Sequence, residues 1–267
     1  MEAEHYVKEA RAFFAKNLKV DEKEICFTSG GTESNNLALI GTAMANRRAG
    51  NHLITTSVEH ASVDNTMKYL EEQGFRVTYL PVDEYGVVSL EALKEALCPE
   101  TILVSVMYVN NEVGAVQPVD EIARIVKEHN PNTIFHVDAI QAYGKYRIYP
   151  KKEGIDLLSV SGHKIHGPKG TGFLYVNSKV KIHSIVFGGG QQKGLRSGTE
   201  NVPGIIGLGK AAELAAASME DRMKRESELR DYMIQRISAE IPYCRLNGDP
   251  VKRLPNNVNF SFQFVEG

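Results

Sequence analysis

The sequence predicts an α/β protein in three layers, with a mostly parallel sheet flanked by helices, followed by part of a small α+β domain. Two observations favour this fold class. Short apolar runs of strand length alternate with segments of helical periodicity over most of the chain. Strands that alternate with helices form parallel sheets, because each helix returns the chain to the starting edge of the sheet. From about residue 201 a long charged helical stretch replaces this alternation, which predicts that a second unit begins there.

Each predicted strand is a short apolar run bounded by polar or turn-forming residues. The strands of the sheet are predicted at residues 24–28, 52–55, 75–80, 101–109, 133–137, 156–160 and 172–176. The helices between them are predicted at residues 34–47, 61–73, 90–97 and 119–128. One long helix, ending near residue 240, and two strand-like runs at 243–246 and 258–264 follow. We therefore expect a large domain over residues 1–215 and an incomplete small domain over residues 216–267.

Composition excludes several classes of partner. The chain has 267 residues and a net charge of −2, without a dense block of Lys and Arg, so we expect neither nucleic acid nor an anionic membrane as a partner. No run approaches the roughly 20 apolar residues of a membrane span, and the first residues do not resemble a signal peptide, which predicts a cytoplasmic protein. Three widely spaced cysteines predict reduced, structural thiols.

A glycine-containing segment, TSGGTESNN, joins the first predicted strand to the first helix of the alternating pattern. Glycine lets the backbone approach an anion closely, and the free N–H groups at a helix start favour phosphate. The hydroxyl of Thr32, next to Gly31, could add a further donor. The alternative is an ordinary loop with a Ser or Thr helix cap.

A carboxylate follows the strand predicted at residues 133–137. Ligand sites of open α/β sheets gather at the carboxyl ends of the strands, which is where Asp138 lies in the segment HVDAIQA. An acid at this place could keep the pyridine nitrogen of pyridoxal 5′-phosphate (PLP) protonated. Asp138 could equally cap the segment that follows, and this residue alone does not decide between the two.

A hydroxyl, an imidazole and an amine lie together in the segment SGHKIHGPKG, after the next strand. Lys164 is the candidate for a Schiff base with a carbonyl cofactor, and Ser161 and His163 beside it could hold phosphate oxygens. A solvated loop lysine is the simpler alternative. A metal pair of His163 and His166 is disfavoured, because the segment offers no carboxylate or cysteine ligands, and we expect no metal.

Smaller segments fit the same site. His60 opens a predicted helix and could lie over a planar ring, and Asn111 follows a predicted strand. Taken singly, a structural histidine and an asparagine turn explain these residues equally well. A second glycine-rich stretch at residues 188–200 is compatible with an anion or with a mobile loop.

Taken in order, these segments resemble the cysteine desulfurases, fold-type I PLP enzymes related to the class V aminotransferases. The matching segments are TSGGTESNN, VEHASV, VNNEVG, HVDAIQA, SGHKIHGPKG and GLRSGTEN. The resemblance covers about residues 24–199 and extends weakly to 256–262. It implies that residues 1–215 form a PLP-binding domain. By this resemblance, Lys164 forms the Schiff base, Asp138 pairs with the pyridine nitrogen, and Gln141 donates a hydrogen bond to the ring phenolate oxygen.

The resemblance also implies the other site residues. His60 stacks on the ring and assists proton transfer, so Lys164 and His60 are the expected catalytic residues. Thr32, Ser161 and His163 are expected to bind the phosphate, together with the backbone at Gly31. The last expected contacts are Asn111, near the ring and substrate, and Thr199, which reaches the phosphate of the opposite subunit in a homodimer.

The implied reaction converts L-cysteine to L-alanine and passes the sulfur to an enzyme cysteine, for iron–sulfur cluster assembly or another sulfur-transfer pathway. A sulfur-acceptor or scaffold protein is then a further partner. The family places the receiving cysteine, and an arginine for the substrate carboxylate, on a later segment, so we expect a chain truncated at both ends that is inactive alone. The alternatives are a class V aminotransferase or lyase on the same fold, and a non-catalytic PLP-binding remnant.

Overall fold

The computed structural model of the protein describes residues 2–265, and within them seven strands form one mixed sheet. The order across the sheet is β1-β7-β6-β5-β4-β2-β3, and β7 alone runs antiparallel to its neighbours. The strands are β1 (Ile25–Thr28), β2 (His52–Thr56), β3 (Arg76–Leu80), β4 (Thr101–Met107), β5 (Ile134–Asp138), β6 (Leu157–Ser161) and β7 (Gly172–Val176). The mostly parallel sheet of the prediction is confirmed.

Helices cover both faces of this sheet. They are α1 (Glu2–Leu18), α2 (Gly31–Asn46), α3 (Ala61–Glu72), α4 (Leu90–Ala96), α5 (Val119–His129), α6 (Val202–Ala217) and α7 (Met219–Glu240). Leu37 of α2 and Met67 of α3 belong to one buried cluster, whereas Phe14 of α1 and Leu208 of α6 belong to the other. Successive strand residues alternate between the two clusters, as a sheet with two covered faces requires.

The prediction of one helix over residues 201–240 is wrong, because two helices meet at Ser218. The first, α6, is largely apolar and packs against α1, so it belongs to the helical cover of the sheet. The second, α7, is charged and contributes only Met219 and Arg230 as buried residues. The predicted boundary at residues 215/216 therefore falls inside α6, and the division into two domains stays a prediction.

A two-stranded sheet, β8 (Cys244–Leu246) and β9 (Phe260–Phe262), follows α7. The segment between these strands contacts the loop after β4. The buried guanidinium of Arg253 donates to the carbonyl of Val113 at 3.2 Å, and the backbone N–H of Leu254 donates to the carbonyl of Gly114 at 2.9 Å. These contacts hold the last part of the chain beside one end of the large sheet.

Across residues 2–265, none of the helices combines the length and the apolar character that crossing a bilayer requires.

Candidate active site

One cleft lies at the carboxyl ends of the parallel strands, with a volume of about 180 Å³. β4, β5 and β6 contribute their last residues, Met107, Asp138 and Ser161, because parallel strands end at the same edge. The lining residues that the sequence did not single out are Ser62, Met107 and Ile140. All but one of the predicted cofactor contacts line the same cleft, namely Gly31, Thr32, His60, Asn111, Asp138, Gln141, Ser161, His163 and Lys164. The exception, Thr199, is an exposed residue of the loop before α6 and does not line this cleft.

The start of α2 forms one wall of the cleft. Gly30 precedes the helix with φ +145°, and the first intrahelical bond runs from the N–H of Ser34 to the carbonyl of Gly30, so the preceding amides lack helical acceptors. A Cβ on Gly31 would clash with the end of the Ile140 side chain, so any larger residue at this position would have to displace Ile140. Free amides, the helix dipole and the Thr32 hydroxyl together suit a phosphate.

Asp138, the last residue of β5, is a buried carboxylate at the floor of the cleft. Its Oδ1 accepts from the backbone N–H of Ile140 at 3.0 Å, and its Oδ2 accepts from Nδ2 of Asn35 at 2.8 Å. Burial raises the pKa of Asp138 above its ordinary value, although these two hydrogen bonds and the nearby His60 act to lower that pKa. Among the described residues it has no salt-bridge partner. A cation bound in the cleft would compensate the buried charge.

His60 lies at the opening of α3. Its Nδ1 accepts from the backbone N–H of Ser62 at 3.1 Å and lies 2.9 Å from the Ser62 hydroxyl. The Ser62 hydroxyl in turn accepts from Nδ2 of Asn35 at 2.9 Å. Sequence reasoning missed Asn35 and Ser62, although both lie in the motifs TSGGTESNN and VEHASV, because nothing local shows that two helix starts meet in space.

Lys164 lies on the 3₁₀ helix Gly162–Ile165, directly after β6, and its amine makes no hydrogen bond within residues 2–265. The hydroxyl of Ser161 and Nδ1 of His163 are 2.8 Å apart. Burial lowers the pKa of His163, and the charges of Lys164 and Lys169 lower it further, which favours a neutral imidazole. A neutral His163 could bind a phosphate oxygen through its other nitrogen.

The turn that carries Gln141 is supported from behind by a second lysine. Nζ of Lys145 donates to the carbonyl of Gln141 at 2.9 Å. Burial lowers the pKa of Lys145 to about 8. The charge of Lys164 also lowers this pKa, whereas the charge of Glu226 raises it. The turn is further tied to α7, because Arg222 donates to the carbonyl of Gly144.

Behind the cleft, Glu59 joins the ends of β2 and β4. Its Oε1 accepts from the Thr56 hydroxyl at 2.7 Å and from the N–H of Met107 at 2.9 Å. Its Oε2 is buried without a hydrogen-bond partner in the described part of the chain. Burial raises the pKa of Glu59 to about 8, and the charge of Asp138 contributes in the same direction. Glu59 is therefore largely a neutral acid at pH 7.

None of the three cysteines lines the cleft. Cys26 is buried on β1, and burial raises the pKa of its thiol to about 12. The sulfur of Cys98 lies 3.3 Å from Nδ1 of His52, at the opposite end of the sheet from the cleft. Cys244 donates to backbone carbonyls at the end of α7.

The chemistry of this cleft suits PLP. The helix start with Thr32, Ser161 and His163 provides donors for a phosphate, and the uncompensated carboxylate of Asp138 matches a protonated ring nitrogen. A primary amine, Lys164, lines the same cleft and could bond covalently to an aldehyde.

The family model, the curated relatives and the solved structures that resemble this chain all indicate the same protein family. The class V aminotransferase family model matches residues 1–267. The cysteine desulfurase IscS of Clostridium botulinum is 52% identical over 260 residues, which are 97% of this chain and 65% of that protein. A solved structure of a NifS-like protein has a TM-score of 0.95 and 42% identity, with 98% of this chain and 71% of that chain covered. A structure of SspA in complex with cysteine has a TM-score of 0.75 and 44% identity, with 79% of this chain and 61% of that chain covered.

The chain spans about 65% of the length of the first curated relatives it matches. The family match nevertheless runs along the whole chain. The relatives that share about half of its residues are all named cysteine desulfurases. This agreement confirms the resemblance carried by the six motifs. The chain therefore belongs to the class V aminotransferase family, within its group of cysteine desulfurases, whose members depend on PLP.

Proposed function

We propose that the protein is a cysteine desulfurase that binds PLP in the cleft and converts L-cysteine to L-alanine, passing the sulfur to a protein cysteine. The observation that supports this most is the meeting of Lys164, Asp138 and the start of α2 in one cleft. An amine, a buried carboxylate and a phosphate-binding helix start are the three groups that a PLP site needs, and they come from distant parts of the sequence.

Each residue then has a defined task. Bound PLP acts as an electron sink for cleavage of a bond at the substrate Cα. Asp138 would keep a positive charge on the ring nitrogen, and Gln141 would donate to the phenolate oxygen. Lys164 would hold the cofactor and could move a proton in the cleft. His60 would pack over the ring, and Asn111 would lie beside the substrate. Thr32, Ser161, His163 and the amide of Gly31 would hold the phosphate.

The sulfur acceptor is proposed to be a cysteine other than Cys26, Cys98 and Cys244. Cys26 is buried, and its raised pKa keeps the thiol protonated. Cys98 and Cys244 lie away from the cleft. The thiolate is the reactive form of cysteine, so a thiol with its pKa raised to about 12 is a poor nucleophile. Cysteine as substrate is supported by the relative SspA, whose structure is described as a complex with cysteine.

Partners and compartment are further parts of this proposal. Thr199 is exposed outside the cleft of its own chain, which suits a contact with the phosphate of a second subunit in a homodimer. A sulfur-acceptor or scaffold protein of an iron–sulfur assembly pathway would receive the product sulfur. A cytoplasmic location fits the three free cysteines. The large domain over residues 1–215 and the small domain that follows remain part of the proposal.

The experiment measures alanine and protein-bound persulfide after addition of L-cysteine to the PLP-loaded protein. Cys26, Cys98 and Cys244 are the three cysteines of this sequence, so a different acceptor cysteine has to be supplied. We expect the chain alone to form neither product, and to form alanine with persulfide on the added protein when a sulfur-acceptor protein with a free cysteine is present, whereas Lys164→Ala should give neither. Persulfide on the chain alone that is lost when Cys26, Cys98 and Cys244 are replaced by serine would show that one of these three thiols is the acceptor. Formation of keto acids from amino donors, without persulfide from cysteine, would favour a class V aminotransferase instead.

A further inference from the structure

Asn35 is a buried residue of α2 whose amide group joins two parts of the site. Its Nδ2 donates to Oδ2 of Asp138 at 2.8 Å and to the hydroxyl of Ser62 at 2.9 Å. The opposite orientation of the amide would place its oxygen against the carboxylate of Asp138, so the charge of Asp138 fixes which way the amide faces. The amide oxygen is left buried without a partner within residues 2–265.

The orientation of Asn35 determines the role of Ser62. An NH₂ group can only donate, so the Ser62 hydroxyl must accept from Asn35 and its own single proton is free for another acceptor. That acceptor is Nδ1 of His60, 2.9 Å away. The backbone N–H of Ser62 donates to the same nitrogen at 3.1 Å.

With two donors directed at Nδ1, this nitrogen carries no proton in the neutral imidazole. The proton therefore lies on Nε2, which makes no hydrogen bond to a described residue and is the nitrogen left for a bound molecule. The opposite tautomer would set a proton on Nδ1 against the backbone N–H of Ser62, which can only donate, and the Ser62 hydroxyl would have to turn its own proton away.

We propose that Asn35 and Ser62 are positioning residues that link Asp138 to His60 and hold the neutral His60 ring as its Nε2–H tautomer. His60 then faces the cleft as a hydrogen-bond donor. The inference deepens the proposed function, because it concerns the same site, but the tautomer can be measured without any cofactor.

The first test is a long-range ¹H–¹⁵N correlation spectrum of the cofactor-free protein labelled at histidine, with the His60 signals assigned from their loss in His60→Gln. We expect an unprotonated Nδ1 and a protonated Nε2 in the native protein. A protonated Nδ1, or an even mixture of tautomers, would overturn the assignment. Ser62→Ala removes one of the two donors and should raise the Nδ1–H population, and an unchanged population would remove the Ser62 hydroxyl from the arrangement.

The second test is a double-mutant cycle on the affinity for PLP, measured by equilibrium fluorescence. Asn35→Leu keeps the shape of the side chain but removes the hydrogen bond to Asp138, and hydrogen bonds to charged groups suggest a loss of about tenfold or more. In an Asp138→Asn background the same change should have little effect. An equal loss in both backgrounds would show that Asn35 acts only through the fold and would contradict the link.

Asn46→Leu is the matched control, because Asn46 lies on the same helix and donates to the carbonyls of Thr42 and Lys181, far from the cleft. It should leave the affinity for PLP and the His60 tautomer unchanged. If the native protein does not bind PLP, the proposed function fails, whereas the tautomer result is decided separately by the spectrum of the cofactor-free protein.

Discussion

At the scale of single residues, Asp138 couples the stability of the fold to the binding of its ligand. A buried carboxylate with a raised pKa binds a proton more readily in the folded chain than in the unfolded one, so its ionised form lowers the stability of the cofactor-free fold. A positively charged ring nitrogen reverses this effect, because it interacts favourably with the ionised carboxylate. Removal of the negative charge of Asp138 should therefore stabilise the cofactor-free fold and weaken the binding of a positively charged ring.

We expect Asp138→Asn to leave the melting temperature of the cofactor-free protein at pH 8 unchanged or higher, and to weaken PLP binding by about tenfold or more. Asn35 can turn its unpaired oxygen toward the new amide, so the substitution does not create a clash of donors. The control is Asp156→Asn, which breaks the ion pair with Lys127 away from the cleft and should lower stability without changing the affinity. A loss of both stability and affinity in Asp138→Asn would contradict this account.

Gly31 allows α2 to approach the end of β5. We expect Gly31→Ala to force Ile140 from its position, with a loss of stability of about 1–3 kcal/mol, as for other overpacked sites. Ile140 lines the cleft, so its displacement should also weaken PLP binding. Shortening Ile140 to alanine in the same protein should restore much of the affinity, measured by fluorescence titration. If the double variant is no better than Gly31→Ala, the contact with Ile140 is not the cause.

Residue types and their order were enough to single out residues that line the cleft, such as Lys164 and Asp138, whose chemical roles stay a prediction. The residues that hold these groups were not predictable in the same way. Asn35 has an ordinary helix position in the sequence, and its role arises only because the starts of α2 and α3 meet the end of β5 in space. Glu59 was likewise missed, since its raised pKa comes from burial that local sequence does not show.

At the scale of elements, one ion pair joins the glycine-rich loop at residues 188–200 to the start of α2, and Gln192 of the same loop accepts from the backbone N–H of Phe27 on β1. Nε of Arg196 donates to Glu33 at 2.7 Å, and both side chains are mostly shielded from solvent. Glu33 also accepts from the backbone N–H of Ser29 at 3.0 Å, so the pair joins the loop to the turn that precedes the helix. The position of this loop thus depends on the same helix that forms a wall of the cleft.

We expect Glu33→Gln to loosen this loop, because Arg196 loses its charged partner while the bond from the Phe27 N–H to Gln192 remains. A loss of about 1 kcal/mol would raise the rate of trypsin cleavage at Lys193 roughly fivefold, if cleavage requires local opening. Asp64→Asn removes the exposed pair with Lys68 and serves as the control, with no change in cleavage of the loop. Equal cleavage rates in the two variants would show that the ion pair does not hold the loop.

Strands were easier to predict than the helices at the end of the chain. The runs that became β2 and β7 are mostly apolar or β-branched between clear boundaries, and their predicted limits agree with the structure to within one residue. The break at Ser218 was missed because both α6 and α7 have strong helical sequences on either side of it. Their different roles follow from packing, since α6 lies against α1 whereas α7 stays largely exposed.

At the scale of the whole molecule, two buried histidines connect stability to pH. Burial lowers the pKa of His136 to about 3, and its two nitrogens bond the hydroxyls of Ser105 and Ser159. Burial, with Arg76 nearby, lowers the pKa of His52 to about 4. The unfolded chain, with ordinary values near 6.5, binds more protons below that pH. These histidines therefore make the fold less stable as the pH falls from about 6.5.

We expect each histidine to contribute a slope of up to about 1.4 kcal/mol per pH unit to the free energy of unfolding between pH 6 and pH 4. Glu59 acts in the opposite direction, because its raised pKa favours the protonated folded state as the pH falls. The informative quantity is thus the difference between the native protein and His136→Asn in urea unfolding at several pH values. The variant should show the shallower loss of stability in acid, and identical slopes would contradict the role of His136.

Lys164 is proposed to bond to a cofactor whose ring nitrogen meets Asp138 in the cleft. The most direct measurement is reduction of the PLP-treated protein with borohydride, followed by mass mapping of its peptides. The account predicts one cofactor label per chain, on the peptide that contains Lys164, with loss of the label in Lys164→Ala and its retention in Lys169→Ala. A label on another lysine of the native protein, or none, would contradict it.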